Sequence, residues 1–326
     1  MHVLLVNNSI IPALKYGGTE RVIWWLGKML VKMGHKVSYL VAKGSTCPFA
    51  DVIEWDSAKA FNDQVPETVD VVHLSAGTNE KPIKPYIITM HGNLNQQVDL
   101  DKNTVFVSGN HAERFGSDQF VYNCIDADDY GKPDFISNKK YIHFLGDAAW
   151  RIKNVRAAIN IANSAGTPLE VIGGIRFNFN MGIRLTFDLN TRFHGMKGGE
   201  EKNEILSRSK GLLFPVLWHE PFGLAIIESL YFGCPVIATP YGSLQELVPK
   251  EVGFLSTNKN ELIDAVKNID SYSRKVCNEY VMDNFTVNKM ALQYLLLYEK
   301  VMNGQQLNAT APKLKVVQTA KFLPFN

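Results

Sequence analysis

The sequence predicts an α/β protein made of two doubly wound domains, each with a parallel β-sheet. Its 326 residues favour two domains of ordinary size over one. Short aliphatic runs typical of buried strands alternate with helical stretches along the whole chain, and this alternation is typical of parallel sheets covered by helices on both faces. The hydrophobic content of 46% and the charged content of 20% provide enough apolar material for two cores.

The first half of the chain contains the elements of one such sheet. We predict a helix over residues 19–33, with Thr19 as its N-cap. Strands are predicted over residues 3–7, 36–42, 69–74, 87–91, 104–108 and 120–122. Residues 126–138 are polar, contain Pro133 and have no periodicity, so we place a domain boundary there and assign residues 1–130 to the first domain.

The second half repeats the alternation, and we assign residues 131–285 to a second domain. Strands are predicted over residues 141–146, 169–173, 192–196, 211–216 and 234–240, and near residue 254. Helices are predicted over residues 153–164 and 200–208, near 261–269, and over 287–302. Residues 286–326 then form a last helix and a tail. Residues 177–188 fit neither period, and we interpret them as a loop or an extra β-excursion.

Charge and cysteine usage exclude several functional classes. The net charge is only +2 without a long basic run, so we expect no nucleic-acid partner. The four cysteines, at positions 47, 124, 234 and 277, lack CxxC spacing and indicate reduced thiols, not a disulfide frame or a zinc site. The N-terminal apolar run is a first strand and no signal peptide, and no stretch approaches the roughly 20 apolar residues of a membrane span. We therefore expect a cytoplasmic protein.

The tail after residue 303 is the one stretch with a local excess of basic residues. Lys313, Lys315 and Lys321 meet no acid there, and apolar residues lie between them. One interpretation is peripheral contact with an anionic membrane at its inner face. The simpler interpretation is a terminal strand or a poorly ordered tail.

The most informative stretch surrounds two carboxylates eight positions apart, Glu220 and Glu228. A predicted buried strand precedes them, and the apolar, glycine-containing run between them predicts the first turns of a helix. The N-terminus of such a helix offers unpaired N–H groups and a positive dipole end to an anion. With a rise of 1.5 Å per residue, the two carboxylates lie roughly 10–12 Å apart. That span suits a nucleotide sugar; the competing interpretation is a core helix that carries one solvated glutamate.

A longer string carries a resemblance to a known family. Residues 218–223 read Trp-His-Glu-Pro-Phe-Gly, residues 233–239 read Gly-Cys-Pro-Val-Ile-Ala-Thr, and Gly242 and Glu246 follow. Together with the glutamate pair, this string resembles the Glu-x7-Glu signature of retaining GT-B glycosyltransferases of family 4, the glycosyl transferases of group 1. The resemblance implies two Rossmann-like domains that face each other across a cleft, with the last helix crossing back to the first domain.

The resemblance also implies roles for residues of the second domain. Glu220 would bind the transferred sugar and favour positive charge on its ring, and Glu228 would accept hydrogen bonds from the ribose of the donor. The diphosphate would be held by a further set of groups, namely Arg151, Lys153 and the N–H groups of Phe222, Gly223 and Leu224. The main chain near Met196 would pass the nucleobase.

In the first domain, two motifs match the family. Gly17 and Gly18, in the string Tyr16-Gly17-Gly18-Thr19-Glu20, match a Gly-Gly-x-Glu loop that faces the diphosphate; taken alone, two glycines indicate a turn. His91 ends a predicted strand, where the family has a histidine that approaches the transferred sugar; a structural histidine is the alternative. Ser108 resembles a further family position or is a helix N-cap.

One departure from the family pattern affects the phosphate site. Asp147 stands where the family usually has an arginine directly after the glycine, and Lys153 comes one residue later than is typical. Either Arg151 supplies the missing charge, or phosphate binding is weakened. A plain surface charge is the third interpretation of Arg151.

No cofactor or essential metal is expected; the nucleoside diphosphate sugar is a substrate. The two Asp-x-Asp matches, at residues 99–101 and 126–128, are not placed to hold a metal against a diphosphate. The resemblance implies transfer to an unidentified glycan or lipid-linked acceptor, in the synthesis of bacterial surface polysaccharide or lipopolysaccharide. The alternatives are a degenerate sugar-nucleotide binding protein, an NAD-dependent oxidoreductase, which lacks support because the G-x-G-x-x-G fingerprint is absent, and an epimerase or phosphorylase of the same architecture.

Overall fold

The structure is a computed structural model that describes residues 1–13 and 17–326. The chain divides into two compact units. The first unit consists of Met1–Ile125 and Phe285–Gln318, and the second consists of Asp126–Asn284 and Thr319–Asn326. The domain boundaries predicted at residues 130/131 and 285/286 lie close to these divisions. The tail differs from the expectation, because its last residues pack with the second unit.

The first unit contains a six-stranded parallel sheet. Its strands are, in chain order, β1 (His2–Val6), β2 (Lys36–Val41), β3 (Asp51–Glu54), β4 (Val71–Leu74), β5 (Tyr86–Met90) and β6 (Thr104–Phe106). They lie in the order β3-β2-β1-β4-β5-β6. All five residues of β1 are buried, as expected for a central strand with both faces covered. The strand predicted at residues 120–122 is wrong, since Phe120 forms only a single bridge to Phe106.

Three α-helices of the described ranges belong to this unit. They are α1 (Gly18–Lys32), α2 (Gly109–Arg114) and α9 (Val287–Met302). The prediction of Thr19 as N-cap is wrong: α1 begins at Gly18 and Gly17 is its N-cap. Ser108 is the N-cap of α2, where its side chain accepts a hydrogen bond from the N–H of His111 at 3.1 Å.

A buried polar network joins α9 to the first sheet. His73, on β4, hydrogen-bonds the Tyr298 hydroxyl and the Thr89 hydroxyl, both at 2.7 Å. Tyr294 reaches the same Thr89 oxygen at 3.0 Å. Burial lowers the pKa of His73 to about 3, so its ring is neutral in this network. Residues from both ends of the chain thus build the first unit.

The second unit contains another six-stranded parallel sheet. Its strands are β7 (Tyr141–Leu145), β8 (Leu169–Ile172), β11 (Thr191–Phe193), β12 (Ser209–Phe214), β13 (Val236–Ala238) and β14 (Gly253–Leu255), in the order β11-β8-β7-β12-β13-β14. A separate two-stranded antiparallel hairpin, β9 (Phe177–Asn178) and β10 (Arg184–Leu185), lies between β8 and β11 in sequence. The predicted extra β-excursion is therefore present.

Six α-helices of the described ranges accompany this sheet. They are α3 (Val155–Ser164), α4 (Gly199–Ser207), α5 (Leu224–Tyr231), α6 (Leu244–Leu247), α7 (Lys259–Lys267) and α8 (Arg274–Asn284). The prediction of a helix from Lys153 is corrected, because Arg151–Lys153 is a 3₁₀ turn and α3 follows its N-cap, Asn154. The prediction of two parallel α/β sheets is confirmed.

The tail is packed along the first unit before it reaches the second. The Leu314 side chain is 1% exposed and belongs to a core cluster with Phe106, Ala112 and Phe115. Lys313, which meets no acid in its own stretch of sequence, pairs with Asp99 at 3.1 Å. Leu314 and Lys313 are therefore engaged within the first unit, which leaves less apolar and basic surface on the tail for the expected membrane contact. None of the described helices is long and apolar enough to cross a membrane.

Candidate active site

The strand order of the second sheet locates a crevice. From β7 the chain moves to one side through β8 and β11, and then returns to β12 on the other side of β7. The loops that follow β7 and β12 therefore leave the sheet in opposite directions. In open α/β sheets ligands bind at this switch point, outside the carboxyl ends of the strands. We call it the β7/β12 crevice.

A buried ion pair joins the two loops of the β7/β12 crevice. The Lys153 ammonium, after β7, lies 2.6 Å from Oε2 of Glu220, after β12. The two residues are 8% and 7% exposed. The indole Nε1 of Trp218 donates to the same oxygen at 2.9 Å, and its ring lies 4.8 Å from the ammonium. Buried charges need such additional partners, because they lose their hydration.

The loop after β13 fixes the backbone at Glu220. Gly242 forms a bridge to Glu220, and a Cβ at Gly242 would lie 2.3 Å from the Glu220 carbonyl oxygen. The φ of Gly242 is +66°, which also favours glycine. Ser243 donates its N–H to the Glu220 carbonyl at 2.9 Å and its hydroxyl to the Phe222 carbonyl at 2.6 Å. Gly242, noted in the sequence only for the resemblance, thus has a physical role.

The loop after β7 is tied to the loop after β12 by main-chain and amide contacts. Asn154 adopts a left-handed conformation, caps α3 and donates its side-chain amide to the Pro215 carbonyl at 3.0 Å. The N–H of Leu217 donates to the Ile152 carbonyl at 2.7 Å. Asp147 accepts from the N–H of Ala149 at 2.9 Å. The aspartate that stands in place of the expected arginine therefore stabilises the turn at the start of this loop.

The N-terminus of α5 begins close to the ion pair in sequence. Its N-cap is Gly223, with a φ of 91° and no side chain to bond the first N–H groups, and the first turn contains no acidic residue. Gly223 and Leu224 are half-buried, whereas Phe222 is only 2% exposed and packs into the core. Free N–H groups and the dipole of the helix make this end suitable for an anion.

Glu228 lies inside α5 and is 2% exposed. Its Oε1 accepts the hydroxyl of Tyr130 at 2.7 Å and lies 3.0 Å from the Lys202 ammonium. The Tyr130 ring centre is 5.1 Å from that ammonium. The carboxylate is thus compensated by charge and by a hydrogen bond. Sequence reasoning missed both partners, although Lys202 lies four residues before the buried Leu206 and so shares its helix face.

His143 is a buried histidine of β7 whose ring is held between two hydroxyl groups. Its two ring nitrogens bond the Ser209 and Ser229 hydroxyls at 2.7 and 2.8 Å. Burial lowers its pKa to about 3, which the nearby charge of Glu228 partly opposes. The ring is therefore neutral and has a structural role.

Arg151 and Met196, two of the predicted donor-binding residues, do not contact the ion pair. The Arg151 guanidinium lies 5.3 Å from the ring centre of Phe322 and lines a cavity of about 250 Å³ with Asn154 and Arg156. Met196 follows β11, the edge strand, and its side chain is 40% exposed. The structure brings Lys153, Glu220 and the start of α5 together and leaves these two residues apart from them.

The first unit holds Gly17, Gly18 and His91. Its sheet has the same switch point, between β1 and β4. Gly17 is the N-cap of α1 and Gly18 its first residue, and this helix follows β1; Tyr16 of the predicted loop lies outside the described residues. A Cβ at Gly17 would lie 2.7 Å from the Glu20 carboxylate, which explains the need for glycine.

His91 follows β5 and is neutral. Its Nε2 lies 3.3 Å from the hydroxyl of Ser75, which follows β4. Its Nδ1 is buried and has no hydrogen-bond partner among the described residues. Burial lowers the pKa of His91 to about 4. At neutral pH this ring can exchange hydrogen bonds with a ligand but carries no charge.

The two Asp-x-Asp stretches have structural partners. Asp101 accepts the hydroxyl of Tyr86 at 2.6 Å, and Asp126 is the N-cap of a 3₁₀ turn. Across the described part of the chain, no group of three or more His, Cys, Asp or Glu side chains is arranged to hold a metal ion.

Comparison with known proteins shows the fold and finds a family model that is similar to part of the second unit. Residues 134–279 match the family model described as glycosyl transferases group 1. AviGT4, a glycosyltransferase involved in avilamycin A biosynthesis, aligns over 93% of this chain and 98% of its own, with 19% identity and a TM-score of 0.76. Anabaena HepE, solved in complex with UDP and glucose, aligns over 91% and 99%, with 15% identity and a TM-score of 0.63. The fold is that of GT-B glycosyltransferases.

One curated relative gives a narrower match. An uncharacterized 41.2 kDa protein in the cps region of Klebsiella pneumoniae is 26% identical over 117 residues. The match covers 34% of this chain and 32% of the relative, so the chain spans about a third of the length of that relative.

Proposed function

We propose that the protein is a glycosyltransferase that moves a sugar from a nucleoside diphosphate sugar to an acceptor hydroxyl. The observation that carries this proposal is the Lys153–Glu220 pair beside the N-terminus of α5, at the switch point of the second sheet. These residues all lie within the segment that matches the glycosyl transferases group 1 model. A GT-B fold along the chain supports the same function.

The chemistry of the β7/β12 crevice suits a diphosphate leaving group. As the bond between sugar and phosphate breaks, negative charge grows on the phosphate and positive charge on the sugar ring. The negative charge on the phosphate would be stabilised by the Lys153 ammonium and by the N–H groups of Gly223 and Leu224. The Glu220 carboxylate would bind hydroxyls of the sugar and stabilise the positive charge on the sugar ring. No metal ion is needed in this scheme, because the helix end and the lysine supply the positive charge.

Glu228 would accept hydrogen bonds from the ribose hydroxyls of the donor. Tyr130 and Lys202 would hold its carboxylate in one orientation, since both bond the same oxygen. Arg151 would contribute to phosphate binding only if its side chain leaves the ring of Phe322. Main-chain groups near Met196 would contact the base.

We further propose that transfer retains the configuration of the anomeric carbon. The acceptor hydroxyl would attack from the face that the phosphate leaves, and the departing phosphate oxygen would take the hydroxyl proton. The bond to phosphate breaks, the bond to the acceptor oxygen forms, and nucleoside diphosphate is released. The family resemblance implies two further roles for residues of the first unit. Gly17 and Gly18 would bind the diphosphate, and His91 would orient the transferred sugar.

The acceptor we propose is a glycan or a lipid-linked glycan of a bacterial surface polysaccharide or lipopolysaccharide. The curated relative from a cps region supports this role. Anabaena HepE, which was solved with UDP and glucose, supports a uridine donor among those to be tested first.

A panel of UDP-, GDP-, ADP- and dTDP-sugars tests the proposal. A donor that binds the native state raises its melting temperature by mass action. We expect one donor to stabilise the protein and to be hydrolysed slowly in the presence of a chelator, with the sugar released first in the anomeric form of the donor. Binding without nucleotide release would instead support the degenerate binding protein. Binding of none of these donors would contradict the proposal.

A further inference from the structure

Residues 175–189, which include β9 and β10, have an inverted pattern of burial; we call them the apolar hairpin. Every odd-numbered residue from Ile175 to Leu189 is large and apolar, and these side chains are between 44% and 93% exposed. On the even-numbered side, Asn178, Arg184 and Thr186 are only 5% to 6% exposed. Strands at a surface normally bury their apolar side chains and expose the polar ones.

The inverted orientation is held by specific contacts of the polar face. Arg184 donates to the Ile175 carbonyl at 2.8 Å and to the Thr186 hydroxyl at 2.7 Å, and its guanidinium lies 4.8 Å from the ring centre of Phe193. Arg176 donates to the Thr186 carbonyl at 3.2 Å. Turning the hairpin over would break these bonds. The outward direction of the apolar side chains is therefore built into the fold.

The apolar hairpin concentrates exposed apolar surface in one short segment. Elsewhere in residues 1–13 and 17–326, no stretch of comparable length has as many exposed large apolar residues; residues 292–302, for example, contain three, Leu292, Leu296 and Met302. Contiguous apolar surface on a protein marks a site of interaction with another molecule.

Positive charge lies at the base of the apolar hairpin. The cavity of about 250 Å³ between the hairpin and the start of α3 is lined by Arg151, Arg156 and Arg184, and its lining contains no acidic residue. The Nε of Arg184 is buried and has no hydrogen-bond partner among the described residues. Apolar surface beside positive charge fits a partner that is itself apolar and anionic.

We propose that the apolar hairpin docks the protein on an anionic lipid bilayer, a property beyond the transfer reaction. The odd-numbered side chains would enter the interface to a depth of about 5–10 Å. Arg151 and Arg156 would meet the lipid phosphates. A second copy of this chain fits less well, because a symmetric contact would bring the same arginines close to each other.

Vesicle binding tests the proposal with the full chain. Vesicles of phosphatidylglycerol should sediment the protein, and vesicles of phosphatidylcholine should bind it at least about tenfold more weakly. The double variant Phe179→Ser with Leu189→Ser removes two side chains that are 69% and 93% exposed, so the fold should persist. It should reduce binding to phosphatidylglycerol at least about tenfold. The matched control is Ile136→Ser, a 97% exposed apolar residue of the same unit, which should bind as the unaltered protein does.

Two further measurements complete the test. Phe179→Trp should show a blue shift of tryptophan emission when phosphatidylglycerol vesicles are added, and Arg156→Gln should lower the affinity and its dependence on salt. Absence of binding to phosphatidylglycerol, or equal binding by the double variant, would overturn the proposal. So would sedimentation velocity that shows a dimer lost in the double variant, since a second copy would then cover the hairpin.

Discussion

The two units share one topology and differ in the charge that their switch points hold. In both sheets the chain leaves a central strand to one side and returns on the other. After its two switch-point strands the second unit has the buried Lys153–Glu220 ion pair. In the first unit Ser75, which follows the switch-point strand β4, lies beside the neutral His91, which follows the neighbouring strand β5. The fold fixes where a ligand can bind, and the residues that follow the strands decide which chemistry is possible there.

The same contrast extends to the partners of these groups. In the second unit both buried glutamates have a lysine and an aromatic N–H or O–H: Glu220 has Lys153 and Trp218, and Glu228 has Lys202 and Tyr130. In the first unit the buried network of His73 consists of neutral hydroxyls. Buried charge is costly unless it is compensated, so a unit that keeps two such pairs has a use for them.

The largest effect should come from removing one charge of the β7/β12 crevice. Glu220→Gln keeps the size of the side chain but cannot stabilise positive charge on the sugar. We expect nucleotide release from the donor to fall about 10³-fold or more, which equals about 4 kcal/mol in the barrier, while donor binding changes by less than about tenfold. Initial rates and titration calorimetry measure the two quantities.

The matched control for this variant is Glu251→Gln, at an exposed position of the same unit. It should leave both quantities unchanged. Retention of more than a tenth of the activity in Glu220→Gln would remove the chemical distinction between the two units.

The second effect concerns the stability of the second unit. Lys202→Met leaves the buried Glu228 carboxylate without its ammonium partner, and we expect the free energy of unfolding to fall by about 3 kcal/mol. Adding Glu228→Met should recover most of that loss, because no unpaired charge then remains. Denaturant unfolding measures both.

Lys275→Met is the control for the pair, since Lys275 and Glu279 form an exposed ion pair with side chains 74% and 54% accessible. It should change stability by less than about 0.5 kcal/mol. If Lys202→Met lowers the free energy of unfolding no more than this control does, then Glu228 is not held as a charged group.

A third effect depends on pH and tests the neutral histidines. The pKa of His143 is lowered to about 3 by burial, against about 6.5 in an unfolded chain. Between these values the unfolded state binds more protons, so the stability contribution is complete above pH 6.5 and is lost as pH falls. From pH 7 to pH 5, His143 should account for about 2 kcal/mol of lost stability.

His143→Gln should therefore show a shallower decline of unfolding free energy from pH 7 to pH 5 than the unaltered protein. Between pH 7 and pH 8 the two curves should run parallel. Equal slopes below pH 6.5 would mean that His143 is not held neutral.

The smallest effect should come from the first unit. His91→Gln should lower nucleotide release from the donor about tenfold, or about 1.4 kcal/mol, because the ring can orient a sugar only through hydrogen bonds. The affinity for the nucleoside diphosphate alone should not change. His35→Gln is the control, because His35 precedes β2 and so lies at the amino end of a strand, not at a carboxyl end. A loss of nucleotide affinity in His91→Gln would show that the two units do not divide their roles as we propose.

The sequence predicted that there are two parallel sheets, but it did not predict every strand and helix. It missed β3, an edge strand whose residues are not buried, and α8, a mostly polar helix with only Cys277 and Val281 buried. Neither element has the run of apolar residues from which sequence predictions start.

The site could be predicted as a set of residues but not as a set of contacts. The string around Glu220 and the position of Lys153 identified both members of the ion pair. Their 2.6 Å contact depends on the conformations of the loops after β7 and β12. These two loops bond each other, and the loop after β12 also bonds the loop after β13, so no single stretch of sequence determines the contact. The direction of Arg151 depends on Phe322, far away in sequence, so its contact with that ring had no local signal.

Hydrogen exchange with bound nucleotide tests the central claim that the second unit carries the donor site. The protein would be measured alone and with saturating UDP, GDP, ADP or dTDP, whichever the donor panel identifies. We predict that bound nucleotide slows exchange in peptides that cover residues 146–156 and 217–231. Lys153→Met should lose this protection, and the control Glu251→Gln should keep it. Protection confined to residues 5–20 and 89–93, with none in the second unit, would contradict the account.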